Sequence, residues 1–409
     1  MSARFDGSDQ HRLKILLVPP SDWVYHPFST RLHHIFNELS NRNSVDALWL
    51  TSKTKEGSRS QGRVRLWPVK TRASGNMAIS NVLASLSVAR MVTRILHKRN
   101  YDVVVVSNIA PALVVSLISR LRGVPCVFDY SDHLPDSASL YSKSRVTRLL
   151  IRSVVYLIVL ASMRVCTSIV CSSDSLSSIV RQEFHAQRKV SIVPNGYEAG
   201  FLKSDSNRER IFGELGLSRL SGHFVVVFTG SLEDRYDFDT VLQAMQSIHE
   251  RGRKVSLIIV GKSISTDFES DLRRRCSKLP FVFFAGYVQD ASAISDYLHI
   301  ADACIAPYKL IKTNYGITLK IMEYLASGKP VLVTPIPDVV NQLGGCVVIY
   351  DSKRELEDGL ERLMDDTGLC ERLVKCGRQF VEGLTWQQLA MQYEEKLTII
   401  ASGASRKAG

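Results

Sequence analysis

The chain has 409 residues, 45% of them hydrophobic and 22% charged, with a formal net charge of +12. That length is enough for two domains of ordinary size, and the composition is that of a soluble globular protein. The longest apolar run near the middle, SVVYLIVLASM over 153–163, falls short of the roughly 20 apolar residues of a membrane span.

The basic excess is uneven. Residues 1–196 carry 26 Lys and Arg against 12 Asp and Glu, and the remainder carries 26 against 28. An anionic partner is therefore expected on the first half. No segment carries a recognisable nucleic-acid-binding signature, so nucleic acid is not the expected partner. The N-terminus has no apolar signal region, which gives a cytoplasmic expectation. The eight cysteines (Cys126, Cys166, Cys171, Cys276, Cys304, Cys346, Cys370, Cys376) form no CxxC pair and no zinc-like set with histidine. They read as buried free thiols in a reducing compartment.

In chain order, LKILLVP (13–19) is a continuous apolar run, the mark of a strand buried on both faces. The helix TRLHHIFNELSN follows, then short strands in VDALWLT and VRLWPV, and a long amphipathic helix over 79–99. YDVVVVSN and PCVFDYSD are buried strands with a helix between them, residues 144–165 form another helix, and SIVCSS and VSIVPNG complete a first set. A polar, turn-rich stretch over 194–210 separates this set from a second one. The second set holds HFVVVFTGS (223–231), VSLIIVGK, FVFFAGYV, ACIAPY, PVLVTP and CVVIY, with helices between most of them. Two successive runs of βα units predict two doubly wound parallel sheets with ligands beyond the carboxyl ends of the strands. The tail over 401–409 reads as disordered.

GITLKIMEYLASGKPVLVTP (316–335) reads as a helix followed by a buried strand, with the helix starting at Gly316. Lys320 and Glu323 lie three residues apart on one helical face. As an idle surface pair they are poorly placed, because a cation in the first turn opposes the helix dipole. A helix N-terminus suits phosphate oxygens, a lysine suits a pyrophosphate, and a carboxylate offers two acceptors to two hydroxyls.

These segments, with VVVFTGSLEDRYDFDTVLQAM, FVFFAGYVQDASAISDYLHIADACIAPY, SIVPNGYEAGFL and LTWQQLAMQYEEKL, resemble the nucleotide-sugar glycosyltransferases of the GT-B fold. They look most like the glycogen-synthase-like group that includes bacterial polysaccharide transferases. The resemblance covers residues 170–400 well and the first half only in its strand order. It implies an α/β protein of two Rossmann-like domains facing across a cleft. Residues 1–196 would bind the acceptor, 197–380 the nucleotide sugar, and 381–400 would form a helix crossing back. It further implies a UDP- or GDP-type sugar donor as substrate, no cofactor and no required metal.

By the same resemblance, Glu323 binds the ribose hydroxyls, and the donor lies along Gly230, Ser231, Gly286, Tyr315, Gly316, Ile317 and Thr318. The chain departs from the family at three positions. Tyr315 stands where a second glutamate is common. Ser231 and Tyr236 stand where an arginine and a lysine follow Gly230 and contact the diphosphate. Arg235 is a possible substitute, and Lys320 becomes the leading candidate for the leaving-group charge.

In VFDYSDHLPDS, Asp132 and His133 are candidates for the catalytic base, and Asp129 for the acceptor side. Capping of the next helix is the alternative for these carboxylates, and a metal site a third reading. In PPSDWVYHPFSTR, Trp23, Tyr25 and His26 could stack on a sugar and Arg31 could reach phosphate, with packing under the loop as the alternative. Arg90, Arg94, Lys98, Arg99, Lys143, Arg145, Arg148 and Arg152 suggest peripheral contact with anionic lipid at the inner face of a membrane. The expected activity is transfer of a sugar to a saccharide or lipid-linked acceptor in surface polysaccharide or glycolipid assembly. The alternatives are a GT-B nucleotide-sugar 2-epimerase and a non-catalytic partner subunit of the same fold.

Overall fold

The computed structural model describes residues 12–20, 23–24, 29–51, 60–70, 77–107, 109–139, 144–202, 208–263, 266–288, 291–309 and 315–408. The chain divides into two compact units, Met1–Pro194 with Trp386–Gly409, and Asn195–Thr385.

In the first unit the apolar runs form strands β1 Lys14–Val18, β2 Ser44–Thr51, β3 Ser60–Gln61, β4 Val64–Lys70, β5 Val103–Val106, β6 Cys126–Tyr130, β7 Ser168–Cys171 and β8 Val190–Ile192. They make one sheet in the order β3-β4-β2-β1-β5-β6-β7-β8, parallel except for the short β3. The central register sets Ile15 opposite both Val45 and Val103. All four valines of β5 are fully buried, as expected of a strand covered on both faces.

The second unit holds β9 Phe224–Thr229, β10 Val255–Val260, β11 Val282–Gly286, β12 Ala303–Ala306, β13 Val331–Val333 and β14 Val348–Ile349. Their order is β11-β10-β9-β12-β13-β14, all parallel. Strand order reverses between β9 and β12, which is where a doubly wound sheet binds its ligand. Helices start on side-chain caps: Asp237 accepts from Thr240 N, Ser352 from Glu355 N and Asp366 from Leu369 N.

Helix Trp386–Ala408 belongs to the first unit. Trp386 stacks on His34 with ring centres 4.8 Å apart, and Asn43 donates to Glu394 at 2.5 Å. The helix continues to Ala408, through most of the segment expected to be disordered, and within it the Ser402 hydroxyl donates to the Thr398 carbonyl.

Two further expectations are corrected. Cys346 and Cys376 form a disulfide, with Cα atoms 5.0 Å apart, so not all eight thiols are free. Thirty residues separate the pair, a spacing that signals nothing locally. Second, the apolar run 153–163 is part of helix Arg145–Val165, whose 18-residue window of mean hydropathy 1.8 is 17% buried. By length and composition that helix is long and apolar enough to cross a membrane.

Candidate active site

The helix with the unusual charge pair is Leu319–Ala326, and its N-cap is Thr318 rather than Gly316. The preceding residues form a fixed loop. Tyr308 OH donates to Thr318 Oγ1 (2.8 Å), the Asn195 amide donates to Ile317 O (2.8 Å), and Asp338 N donates to Tyr315 O (3.3 Å). The inward face of the helix buries Ile321, Met322, Tyr324 and Leu325. Tyr324 OH accepts from Thr229 N at 2.8 Å, which clamps the helix to the end of β9. Leu325 packs so closely on Gly377 that a Cβ there would lie 2.7 Å from its Cδ2. Helix Thr367–Val381, which carries Gly377, is also the one tied down by the disulfide.

Lys320 is turned towards the end of β9. Its Nζ lies 3.8 Å from the ring centre of Phe228, 4.0 Å from that of Tyr236 and 5.7 Å from that of Tyr308. The residue is 8% exposed, and Nζ has no hydrogen-bond partner among the described residues. Burial pulls its pKa down, opposed by the Tyr236 phenol. Burial also raises the pKa of Tyr236, but Lys320 and Arg235 outweigh it and hold that phenol below its ordinary value. Lys320 thus brings an ammonium from its helix to the loop after β9, beside Tyr236, the position at which the resemblance leads one to expect a lysine.

Two glycines at adjacent strand ends, Gly230 and Gly261, make room for this arrangement. Gly230 has φ +126°, and a Cβ on it would sit 3.0 Å from Lys320 Nζ. Gly261 has φ +147°, and a Cβ there would meet Gly230 O at 1.8 Å, so no side chain fits. Gly230 N donates to Val260 O (2.9 Å), and Gly261 N to Gly286 O (2.7 Å). Sequence reasoning found Gly230 and Gly286 but missed Gly261, Asn195 and the aromatic set. The signal for Gly261 was its place at the end of VSLIIVG, a strand end like that of Gly230.

Glu323, one turn after Lys320, is half-buried. Burial pushes its carboxyl up to about 7, with Lys320 pulling down and Glu198 pushing further up. Arg235 is engaged with Glu233 (3.0 Å) and with Ser231 Oγ (3.3 Å), which leaves it half-exposed on the loop after β9.

In the first unit Trp23, Arg31, Asp129, Asp132 and His133 are each engaged within the fold. Arg31 is buried rather than presented to a phosphate: it donates to Asp129 Oδ2 (2.8 Å) and to Val193 O (2.5 Å). Asp129, also buried, accepts a second bond from Tyr393 OH (2.9 Å). The Arg31–Asp129 pair therefore joins the first helix, β6, the segment leading out of the unit and the returning C-terminal helix. Asp132 uses both oxygens at the start of helix Leu134–Ser139, accepting from His133 N (2.8 Å) and Ser137 Oγ (2.5 Å), which is the capping alternative. His133 is 1% exposed, with Nδ1 2.8 Å from Asp136 and Nε2 3.6 Å from Glu183. Trp23 is buried in a 4.1 Å stack with His33 rather than free to stack on a sugar. Tyr25 and His26 lie outside the described residues. Among the described residues no cluster of three His, Cys, Asp or Glu is set to hold a metal ion.

Comparison with known proteins gives this geometry its family. Residues 223–366 match the family model for glycosyl transferases group 1, and residues 29–200 match that for glycosyltransferase family 4. The chain belongs to the glycosyltransferases of the GT-B fold. A Bacillus subtilis (strain 168) protein named for teichuronic acid biosynthesis is 30% identical over 178 residues, 42% of this chain. The chain spans less than half of that relative's length, 41%. The UDP-Gal:alpha-D-GlcNAc-diphosphoundecaprenol alpha-1,3-galactosyltransferase of Escherichia coli is 22% identical over 302 residues, 71% of this chain and 73% of that one. Anabaena Alr3699/HepE, solved in complex with UDP and glucose, superposes with a TM-score of 0.71 at 15% identity. That superposition covers 95% of this chain and all of the other, and it shows a shared fold.

Proposed function

We propose that the protein transfers a sugar from a nucleoside diphosphate donor of the UDP or GDP type to a hydroxyl of a saccharide or lipid-linked acceptor. The setting is surface polysaccharide or glycolipid assembly, with peripheral contact at the inner face of a membrane. One observation carries the reading: Lys320 Nζ is buried at the β9 strand end without a hydrogen-bond partner among the described residues. An ammonium left in this state is unfavourable, and a phosphate oxygen satisfies it. Glu323 lies one turn away to accept from the two ribose hydroxyls, and the backbone of Tyr315–Thr318 flanks the same place.

In the reaction the bond from the anomeric carbon to the diphosphate oxygen breaks, and its electron pair leaves with the diphosphate. The acceptor oxygen forms the new bond to that carbon, and its proton is released to water. Lys320 stabilises the charge that develops on the leaving group, a task a fixed cation performs without metal. The relatives support this reading by their names. One uses a diphosphoundecaprenol-linked acceptor, and HepE was solved with UDP and glucose. They favour transfer over epimerisation.

The test is calorimetric titration with uridine and guanosine diphosphates, then incubation with the matching sugar donors and a lipid-linked saccharide. Binding of one diphosphate and sugar transfer are expected. Binding of neither diphosphate, or epimerised donor without transfer, would contradict the proposal.

A further inference from the structure

Three helices of the first unit pack side by side: Met77–Lys98, Ile109–Leu121 and Arg145–Val165. They carry three, one and four lysines or arginines respectively, and none contains an aspartate or glutamate. The surface helices of the second unit differ. Thr266–Cys276 alone has Asp267, Glu269 and Asp271 facing three arginines.

The same face leaves apolar side chains in the open. On Arg145–Val165, Val146, Leu149, Leu150, Val154 and Leu157 are all exposed, Val146 by 77%. Their spacing of three, one, four and three residues puts them on one stripe of a 3.6-residue helix. Arg145, Arg148 and Arg152 lie together on one flank of that stripe. Asp136 from the neighbouring helix pairs with Arg152 at 2.5 Å, a carboxylate brought to this flank from outside the three helices. Leu117 and Leu121 are exposed on Ile109–Leu121, and Val82 and Leu86 on Met77–Lys98. Exposed apolar area on this scale marks an interaction surface.

We infer that this three-helix face docks on an anionic lipid bilayer, with the Val146–Leu157 stripe dipping into the headgroup region. Charge complementarity selects the occupant, since a face rich in cations and poor in anions fits acidic headgroups. The helix lies in the interface rather than crossing it, although its length and composition would allow a span. Val159, Ser162 and Met163 are buried in the unit, and Tyr156 OH donates to Glu183 O at 3.1 Å, so one side of the helix belongs to the protein core. The inference builds on the proposed membrane contact and does not depend on the donor chemistry.

The experiment is co-sedimentation of the full chain with vesicles of phosphatidylcholine alone, or of phosphatidylcholine mixed with phosphatidylglycerol. Wild type should bind the anionic vesicles preferentially, and added salt should weaken binding. The double variant Leu149→Asp, Leu150→Asp should lose more than about tenfold in vesicle affinity. Arg145→Gln with Arg148→Gln should lose the preference for phosphatidylglycerol. Nucleoside diphosphate titration of the same proteins separates this inference from the proposed function, and both variants should titrate as wild type does. Equal binding to both vesicle types, no binding, or undiminished binding by the leucine variant would overturn it. So would a wild-type oligomer that the leucine variant converts to monomer, because a second copy would then cover the face.

Discussion

The two units share one architecture, a parallel sheet between layers of helices, and treat charge in opposite ways. In the second unit the surface helices are laced with ion pairs, such as Arg273–Glu269 and Arg251–Glu357, while the end of β9 holds a buried ammonium seated on aromatic rings. In the first unit the buried guanidinium Arg31 is paired, and helices Met77–Lys98, Ile109–Leu121 and Arg145–Val165 carry cations and no acidic residue of their own. On the proposed function, the difference separates a charge that holds the fold from one that meets the donor. Arg31 and Asp129 form an ion pair and, with Val193 and Tyr393, tie four segments together, each keeping one buried atom, Nε and Oδ1, without a hydrogen bond, whereas Lys320 rests on rings and forms no ion pair among the described residues.

The sharpest way to break this contrast is Arg31→Ala. Removing one partner of a buried pair strands the other, so a loss of about 3–5 kcal/mol is expected in denaturant unfolding. Nucleoside diphosphate binding should persist wherever the protein is folded. Unchanged stability with impaired acceptor use would restore Arg31 to the acceptor side.

Next in size is Gly261→Ala. A methyl group directed at Gly230 O must displace the glycine loop, with an overpacking penalty of about 1–3 kcal/mol. It should appear mainly as lost nucleotide affinity in calorimetry, since the loop carries the site.

Glu323→Gln tests the second half of the pair. Replacing a charged acceptor for two hydroxyls should weaken nucleoside binding by about 1.5–3 kcal/mol. The pH dependence follows from the raised carboxyl. Near pH 7 the free protein holds this group partly protonated, so wild-type affinity for the nucleoside should rise as pH increases through about 7. The unphosphorylated nucleoside is the right ligand, because it has no phosphate to titrate, and the variant should show no such step. Stability should move in the opposite sense. Between the ordinary carboxyl value of 4.5 and about 7 the native state holds a proton that the unfolded chain has lost, so stability declines as pH rises through that window. The smallest expected effect is that of a chelator: transfer rates should be unchanged, and a rate restored only by added magnesium or manganese would shift the leaving-group charge from Lys320 to a metal.

The fold was legible because its signals are local. Continuous apolar runs such as VVVV, glycines at strand ends and helix periodicity each occupy a few neighbouring residues. Lys320 and Glu323 were legible for the same reason, since both sit within one turn of one helix. The partners were not. Arg31 meets Asp129 across 98 residues, and Asp129 meets Tyr393 across 264. Nothing in either loop's own sequence distinguishes a charge that binds a ligand from one that staples the fold. The ring cage around Lys320 gathers from β9, its following loop and the loop after β12, so Tyr236 read as a lost cation rather than a neighbour of the cation that replaces it.

The most direct test of Lys320 as the diphosphate ligand is a calorimetric series of nucleoside, monophosphate and diphosphate, run on wild type and Lys320→Ala. The account predicts that the variant keeps the nucleoside affinity and loses most of the gain contributed by the phosphates. An equal loss for all three ligands, or none for the diphosphate, would contradict it.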